Sequence, residues 1–336
     1  MRKADKLKRS IIFIAAGLIL AVLAGCSEPY STPNKVMGLN FEMNKPLKYR
    51  FVSSRNVDLT LSDQKQKDTK EMTEQLEMVI SYTPIEEDIY GDITVKAVCE
   101  SSKVTKGSFS GSRQPGKDIT ESLAGREWTF KVNSLGQIRN FKGLNKLVEE
   151  LGAATITKQA TRNVKDPDMI WDFVNTQWFI WDPIAGQADA GKDITPGATW
   201  KSTQIIPFAK LVPAERRIHY TYAQADEEAD NIKISGVIEK LPVKFDDNKQ
   251  PMPEVTTLPK PYKVPHQMRG MFGFLTNYRV DSLQGSLEAV YDAQSAVLRS
   301  CRQEYDMKMT ASFMLPLGDS VPKLDVKQII KMELIE

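Results

Sequence analysis

The feature that most constrains this chain is an alternation of apolar and polar residues with a period of two, which recurs along most of its length. It is clear in LKYRF (47–51), EQLEMVISY (74–82), EWTFKV (127–132) and the final VKQIIKMEL (326–334). Such alternation is typical of β-strands that bury one face and expose the other. Because antiparallel sheets commonly have one solvated face, the pattern predicts antiparallel sheets.

Helical spacing is confined to the middle of the chain. In LNKLVEELGA (144–153) the apolar residues recur at helical intervals, and Gly152 is a typical stop signal. In DMIWDFVNTQWFIWD (168–182) one stripe includes three of the five tryptophans, which are Trp171, Trp178 and Trp181. We favour the interpretation that this helix plugs the open face of a curved sheet. The alternative is that the three tryptophans cover a ligand cavity.

These patterns predict a mainly β fold with a few helices (α+β), in which antiparallel curved sheets have helices covering one face. We divide the body into an N-terminal β-rich half, 41–182, with a helical segment at 143–182, and a C-terminal β-rich half, 183–336. The C-terminal half is interrupted by a proline-rich excursion, 241–267, which favours extended surface structure because proline disrupts helices and central strands.

A faint internal repeat is consistent with two related β-meander halves. Residues 122–141 align without gaps on residues 282–301, and Ser, Leu and Gly coincide near the start of both copies. Each copy is predicted to be a strand, a tight turn and a second strand. The identity is low enough that a shared hairpin pattern also explains the match.

The first 25 residues have the pattern of a secretory signal peptide. Residues 1–10 are strongly basic, and the apolar run from Ile11 to Leu23 is followed by small residues. This run is too short for a membrane-spanning helix, which needs roughly 20 apolar residues.

The end of that run, LAGC (23–26), resembles the lipobox of bacterial lipoproteins. The resemblance implies that the chain is cut before Cys26 and that Cys26 carries the lipid. Residues 26–40 would then tether the body to the membrane, and Ser27 would favour the outer membrane if the host is Gram-negative. The alternative is an ordinary thiol that follows a conventional signal peptide.

The body resembles the uncharacterised β-rich envelope lipoproteins of bacteria, whose function is unknown. Three features carry this resemblance: the lipobox, the hairpin LAGREWTFKVNSLGQIRNF (123–141), and PGATWKSTQIIPF (196–208), which leads into alternating strands. The curved sheet is also similar to the periplasmic lipoprotein carriers, whose half-barrel holds acyl chains. These resemblances imply a body in the periplasm or at the cell surface.

Two further cysteines, Cys99 and Cys301, lie in strand-like runs on the apolar face. In an exported protein, two inward cysteines on neighbouring strands can form a disulfide. The alternative is two separate buried thiols that behave as small apolar residues.

Several functions have little support in the sequence. The net charge of +2 falls to about −2 without residues 1–25, which contain five basic residues and one acidic residue, so charge does not favour nucleic-acid binding. GSRQPGKD (111–118) nearly matches a phosphate-binding loop, but Asp118 replaces the required Ser or Thr. The two histidines, His219 and His266, have no partners at metal-ligand spacing. We therefore predict no nucleotide, no metal and no cofactor.

The sequence thus predicts a membrane-anchored envelope lipoprotein that is not an enzyme and has a binding or structural role. One alternative is a carrier of lipid or another hydrophobic ligand with a half-barrel-like cavity. The other is a hydrolase that uses paired carboxylates. A large apolar cavity beneath the tryptophan helix would favour the carrier, whereas convergent carboxylates with shifted pKa values in a cleft would favour the hydrolase.

Overall fold

The computed structural model describes most of the body of the protein. The described residues are 41–62, 67–107, 118–133, 136, 138–140, 142–144, 146–148, 150–151, 169–179, 182–185, 196–208, 212–226, 231–241, 244–245, 251–252, 275–295, 297–313 and 323–335. By its internal contacts, the chain from Met37 onward forms one compact unit. The predicted signal peptide, Cys26 and the tether lie outside the described residues.

Strands make up most of the described chain. They are β1 (Leu47–Ser62), β2 (Lys67–Glu87), β3 (Ile93–Lys106), β4 (Glu127–Val132), β5 (Ile138–Asn140), β6 (Thr199–Phe208), β7 (Val212–Asp226), β8 (Asn231–Lys240), β9 (Lys244–Phe245), β10 (Pro251–Met252), β11 (Leu275–Asp292), β12 (Leu298–Phe313) and β13 (Lys323–Leu334).

Eleven of these strands form one antiparallel sheet in the order β5-β4-β3-β2-β1-β13-β12-β11-β8-β7-β6. The first and last of these described strands, β1 and β13, are neighbours in the middle of the sheet, where Val57 pairs with Val326 and Leu59 with Leu324. Strands β9 and β10 form a separate two-stranded sheet within the proline-rich excursion. The predicted mainly β, antiparallel architecture is confirmed.

The period-two pattern also predicted the two faces of the sheet correctly. In β13, Leu324, Val326, Ile330 and Met332 are buried, while the residues between them are mostly exposed. Successive side chains of a strand point to opposite faces, so one face of the sheet forms the core.

Helices are few and short in the described part. They are α1 (Ile170–Phe179), α2 (Asp182–Ala185) and a 3₁₀ turn (Ile119–Leu123), together with helical residues between 142 and 151. In that last segment Leu144, Leu147 and Val148 are buried.

The contacts of α1 require the sheet to curl. Phe173 of α1 packs edge-to-face on Trp128 of β4 with ring centroids 5.2 Å apart, and α1 also packs on β6. In a flat sheet the nine strand spacings from β4 to β6 would cover about 43 Å. A ten-residue helix is only about 15 Å long. The two ends of the sheet must therefore bend toward each other around α1.

The two segments of the faint repeat are hairpins, but their first strands face opposite ways. Trp128 and Phe130 are buried, whereas Glu288 and Val290, which stand 160 positions later, lie on the outer face. A shift of one residue exchanges the faces of a strand. The alignment without gaps therefore does not match equivalent positions in the first strand.

Candidate functional site

Asp172, in the first turn of α1, is the centre of a buried polar cluster. Its Oδ1 accepts hydrogen bonds from the Ser53 hydroxyl at 3.0 Å and from the Gln328 amide at 2.6 Å. Its Oδ2 accepts a bond of 3.3 Å from the Arg55 guanidinium. Because Ser53 and Arg55 belong to β1 and Gln328 to β13, this carboxylate links the helix to the two central strands of the sheet.

Arg55 is shared between two carboxylates. Its Nε donates to Glu74 Oε2 at 2.9 Å, its Nη2 donates to the same oxygen, and its Nη1 donates to Asp172. The side chains of Arg55 and Glu74 are each only 1% exposed. Charges this deeply buried need partners, because an isolated ion loses its hydration without compensation. We call Ser53, Arg55, Glu74, Asp172 and Gln328 the α1 cluster.

Lys106 and Asp118 extend these contacts to the residue before α1. Lys106 Nζ lies 2.6 Å from Asp118 Oδ2 and 3.8 Å from Glu74 Oε1. Asp118 is the N-cap of the 3₁₀ turn, where it accepts the backbone N–H of Thr120 at 2.9 Å, and it also accepts the backbone N–H of Met169 at 3.2 Å. One carboxylate thus holds both the 3₁₀ turn and the start of α1.

A second polar cluster attaches α2 to β6 and β7, at one edge of the sheet. Asp182 Oδ1 accepts a hydrogen bond of 2.7 Å from the Ser202 hydroxyl, and its Oδ2 accepts one from the Tyr220 hydroxyl. The Trp200 indole N–H donates to the Pro183 carbonyl at 2.9 Å. Ser202 and Trp200 belong to β6 and Tyr220 to β7. We call Asp182, Ser202 and Tyr220 the α2 cluster.

Tyr305 of β12 lies between the two clusters. Its hydroxyl donates to Gln328 Oε1 of the α1 cluster at 2.5 Å. The guanidinium carbon of Arg216 lies 5.5 Å from the centre of its ring, within the range of a cation–π contact. Arg216 also donates to Gln303 Oε1 at 2.7 Å. Polar contacts therefore extend along the core face from β1 to β7.

Burial changes the acidity of these groups. Burial raises the pKa of Asp172, and the neighbouring Arg55 offsets only part of that rise. Burial alone would lower the pKa of Arg55, but Glu74 and Asp172 beside it raise that pKa above its usual range. Burial raises the pKa of Tyr220 well above its usual value, and the negative charge of the nearby Asp182 raises this pKa further. Arg55 consequently stays charged, while Asp172 binds a proton more readily than an ordinary aspartate.

The predicted tryptophan stripe is described only in its backbone. Trp171 and Trp178 lie in α1, their side chains are outside the described atoms, and Trp181 is outside the described residues. The side chains of α1 that are described and buried against the sheet include Asp172, Phe173 and Gln177, and the Gln177 amide oxygen accepts a 3.1 Å bond from the Tyr82 hydroxyl.

Cys99 and Cys301 are buried free thiols rather than a disulfide. They lie on β3 and β12, which are separated by β2, β1 and β13, whereas a bridge requires Cα atoms about 4.4–6.8 Å apart. The predicted bridge is therefore not formed between these two described residues. Burial raises the pKa of each thiol to about 12.

The other residues considered from sequence have ordinary surroundings where they are described. His219 lies on β7 and its Nε2 is 2.7 Å from Glu239 Oε1, while His266 is outside the described residues. Asp118 is the buried cap described above, and the rest of the GSRQPGKD segment is not described. Within the described part of the chain no group of three or more His, Cys, Asp or Glu residues is placed to hold a metal ion.

Described residues line a cleft at one end of the sheet. It has a volume of about 410 Å³ and lies where β1 begins and β13 ends, beside the turn between β11 and β12. Phe41, Leu47, Val297 and Leu334 contribute apolar walls, and the paired Asp292 and Arg299 contribute charge.

Sequence reasoning missed the α1 cluster because it treated polar residues in alternating strands as solvated. Arg55 occupies the same phase of β1 as the buried Tyr49, Phe51 and Val57. Glu74 has the same phase as Leu76 in β2. A charged residue at an inward position of an apolar alternation was the signal that could have identified these residues.

Comparison with known proteins identifies no family. No protein-family model matches the sequence, and no curated protein matches it. The solved structures that resemble it include lipovitellin, described for its lipid–protein interactions, with 9% identity and a TM-score of 0.40 over 88% of this chain. The chain spans only about a quarter of the length of lipovitellin, 25%.

Two bacterial structures are weaker matches. A DUF1329 family protein from Desulfovibrio piger has 8% identity and a TM-score of 0.12, covering 82% of this chain and 83% of its own. OpdQ of Pseudomonas aeruginosa has 8% identity and a TM-score of 0.17, covering 85% and 98%. Likenesses this weak carry no argument about function.

Among the described residues, no helix has both the length and the apolar character needed to cross a bilayer.

Proposed function

We propose that this protein is a non-enzymatic binding protein of the bacterial cell envelope, anchored by acyl chains on Cys26. The proposal is supported by the basic start, the short apolar run and the LAGC sequence. Two or three acyl chains would hold such a protein firmly, whereas a single chain gives only marginal binding. The β-rich body would lie in the periplasm or at the cell surface, next to the outer membrane in a Gram-negative host.

We further propose that the ligand is an apolar molecule held between the core face of the sheet and α1. The observation that carries this proposal is the curl of the sheet around α1, which contacts β4 through Phe173 and also packs on β6. The core face includes Tyr49, Phe51, Met78 and Tyr82, all of which are buried. In this arrangement α1 is the cover of the binding site.

The way α1 and α2 are held supports the idea of a cover that opens. Asp172, Gln177 and Asp182 attach the helices to the sheet through polar bonds within an otherwise apolar face. When such a helix moves away, these groups regain hydration, and this offsets part of the energy of the lost bonds. A helix attached only by apolar packing would not have this compensation.

The second candidate function is structural support, and the close packing of the core face favours it. Phe173 of α1 and Trp128 of β4 are in contact and almost fully buried. A cleft of about 410 Å³ lies at the start of β1, and the described residues that line it do not belong to α1. In this alternative α1 is a permanent part of the core.

A carboxylate-based hydrolase has less support. Glu74 and Asp172 converge on Arg55, and burial raises the pKa of Asp172. However, both carboxylates are nearly inaccessible, and Arg55 binds both of them. Acid–base hydrolysis by two carboxylates needs room for a water molecule and a substrate between them.

Mass spectrometry of protein purified from native membranes tests the anchor and the ligand together. We expect the mass of a chain that begins at Cys26 and carries acyl groups, and a non-covalent lipid that is released by organic solvent. A Cys26→Ser variant should leave the membrane fraction. An unmodified mass together with unchanged membrane fractionation of this variant would overturn the anchor.

The ligand is tested separately by adding a fluorescent fatty acid to the delipidated protein. We expect binding that competes with the extracted lipid. If the purified protein carries only covalent acyl groups and does not bind the probe, the carrier proposal is wrong and the structural role remains.

A further inference from the structure

Exposed apolar side chains are concentrated at one end of the sheet. This end, which we call the tether end, consists of residues 41–46, the last residues of β2 (85–87), the β2–β3 turn, the β11–β12 turn and Ile335. In the described part of the chain six large apolar side chains are exposed, and five of them lie at this end. These five are Met43, Ile85, Ile89, Tyr90 and Ile335. The remaining one, Val237, lies on the outer face of β8.

The β2–β3 turn is built so that it presents two large apolar side chains to the outside. Ile89 is 92% exposed and Tyr90 is 85% exposed. Beneath them Asp88 Oδ1 accepts the backbone N–H groups of Tyr90 and Asp92 at 3.0 and 3.1 Å. Lys131 Nζ donates to Asp88 Oδ2 at 3.0 Å. The carboxylate holds the turn in place while the two side chains point away from the body.

A bulge in β2 adds a third apolar side chain beside the turn. Pro84 pairs with Val95 and Glu86 with Thr94, so Ile85 is the extra residue between them and is exposed. The backbone N–H of Asn44 donates to the Pro84 carbonyl at 2.8 Å. This bond places the segment that precedes β1 directly against the hairpin.

The same end is where the proposed lipid anchor would enter the body. Residues 27–40 separate Cys26 from Phe41 and span at most about 50 Å when fully extended. Strand β1 continues for 16 residues from this end, which adds roughly 50 Å to the far end of the sheet. The greatest distance from the bilayer that such a tether allows is therefore smaller for the tether end, which includes Ile89 and Tyr90, than for the opposite end of β1.

We propose that the β2–β3 turn inserts Ile89 and Tyr90 into the interface of the membrane that carries the Cys26 lipid. This inference rests on the proposed function. Tyrosine is enriched at membrane interfaces, where its ring lies among the headgroups, and isoleucine gains free energy on leaving water. The occupant of this apolar end is therefore a lipid surface.

The charges around the turn indicate which lipids it suits. Glu86 and Glu87 are exposed beside it. The cations of this end that the structure describes in ion pairs include Lys45 with Glu42 and Lys131 with Asp88. Anionic lipids bind to clusters of Lys and Arg. Beside this turn the exposed charges of Glu86 and Glu87 are negative, so they would repel anionic lipids. We expect insertion into zwitterionic lipid, with little dependence on salt.

The test uses full-length lipidated protein in phosphatidylcholine vesicles that contain a nitroxide-labelled lipid. An environment-sensitive fluorophore is attached to Ile89→Cys or, as the matched control, to Val237→Cys, which is also exposed. Cys99 and Cys301 are buried, so the parent protein should take up little fluorophore. We expect a blue-shifted, lipid-quenched signal at position 89 and a signal like that in water at position 237.

A second variant separates insertion from mere proximity. With the fluorophore on Ile85→Cys, adding Ile89→Ser and Tyr90→Ser should lower the ratio of inserted to free turn at least about tenfold. Both side chains are exposed, so the fold should persist.

The outcomes distinguish this inference from the anchor. If the protein floats with the vesicles but position 89 resembles position 237, the insertion is wrong and the anchor stands. That result would also be expected of a turn that binds a protein partner. If quenching rises on adding phosphatidylglycerol and falls in salt, the zwitterionic preference is wrong. Failure to float, together with an unmodified Cys26, would overturn the proposed function itself.

Discussion

The α1 and α2 clusters attach neighbouring helices to the same sheet by different chemistry. In the α1 cluster the carboxylate of Asp172 meets a charged guanidinium, which also binds Glu74. In the α2 cluster the carboxylate of Asp182 accepts bonds from two neutral hydroxyls, those of Ser202 and Tyr220. The first arrangement depends on the balance of buried charges. The second depends on hydrogen bonds from hydroxyl groups. Replacing either hydroxyl residue removes one bond to Asp182 but removes no counter-ion.

The same two strands provide an internal reference for the ionic arrangement. Arg50 and Glu77 form a second Arg–Glu pair between β1 and β2, with 2.8 Å between their charged atoms, on the solvated face. The pair formed by Arg55 and Glu74 lies on the buried face. Both are Arg–Glu pairs between the same two strands, but Arg55 is buried and also binds Asp172, so the comparison shows what enclosure and the second carboxylate contribute together.

The largest effect is expected for Arg55→Leu. Removing this guanidinium takes from Asp172 the cation that it binds and leaves Glu74 with Lys106 at 3.8 Å. Breaking a buried pair in this way costs about 3–5 kcal/mol. The matched control, Arg50→Leu, should cost at most about 1 kcal/mol because its partner is solvated. Urea unfolding followed by circular dichroism measures both free energies.

A further variant tests the reason for this difference. If uncompensated charge is the cause, combining Arg55→Leu with Glu74→Leu and Asp172→Leu should restore much of the lost stability, because no charge then remains in the α1 cluster. Equal losses for Arg55→Leu and Arg50→Leu would contradict the role that we assign to burial.

The sequence predicted the strands well because alternation reports which face a residue occupies. It did not predict that β1 and β13 would be partners, because a period of two does not identify the neighbouring strand. It also could not reveal that Arg55 has a partner 117 residues away in α1. The inward phase of Arg55 and Glu74 was visible in the sequence, but its meaning depends on a compensating charge that only the fold supplies.

Gly285→Ala should perturb the link between the two clusters. A Cβ at Gly285 would lie 2.2 Å from the Glu304 carbonyl oxygen and 2.7 Å from Tyr305 Cα and Cβ, and no side chain can move aside to relieve the backbone contact. Overpacking of this kind costs about 1–3 kcal/mol. The exposed neighbour on β11, Ser286→Ala, is the control and should change stability little. Unchanged stability in Gly285→Ala would mean that β11 and β12 separate easily.

The pH dependence of stability should show the titration of Asp172 in the α1 cluster. Because burial raises the pKa of Asp172, the folded protein keeps this proton to a higher pH than the unfolded chain does. The resulting stabilisation is complete below the ordinary pKa of aspartate and is lost as the pH rises through the raised pKa. The slope from this one group is at most about 1.4 kcal/mol per pH unit.

An Asp172→Asn variant should lack this component, so its free energy of unfolding should fall less as the pH rises above 4. Urea denaturation at a series of pH values measures the two curves. Parallel curves for the parent and the variant would show that Asp172 titrates as an ordinary aspartate and that Arg55 fully compensates its burial.

The smallest effect compares the serine of each cluster. Ser202→Ala leaves Asp182 with the Tyr220 hydroxyl in the α2 cluster, and losing one such bond costs about 1 kcal/mol. Ser53→Ala removes the bond that Ser53 donates to Asp172 and the bond that it accepts from the Gln328 amide at 2.9 Å. It should still cost less, because Asp172 and the Gln328 amide remain bonded to each other and Asp172 also keeps Arg55. Thermal and urea unfolding of the two variants under the same conditions gives the difference. A larger loss for Ser53→Ala would mean that the serine, rather than the charged network around it, fixes the position of Asp172.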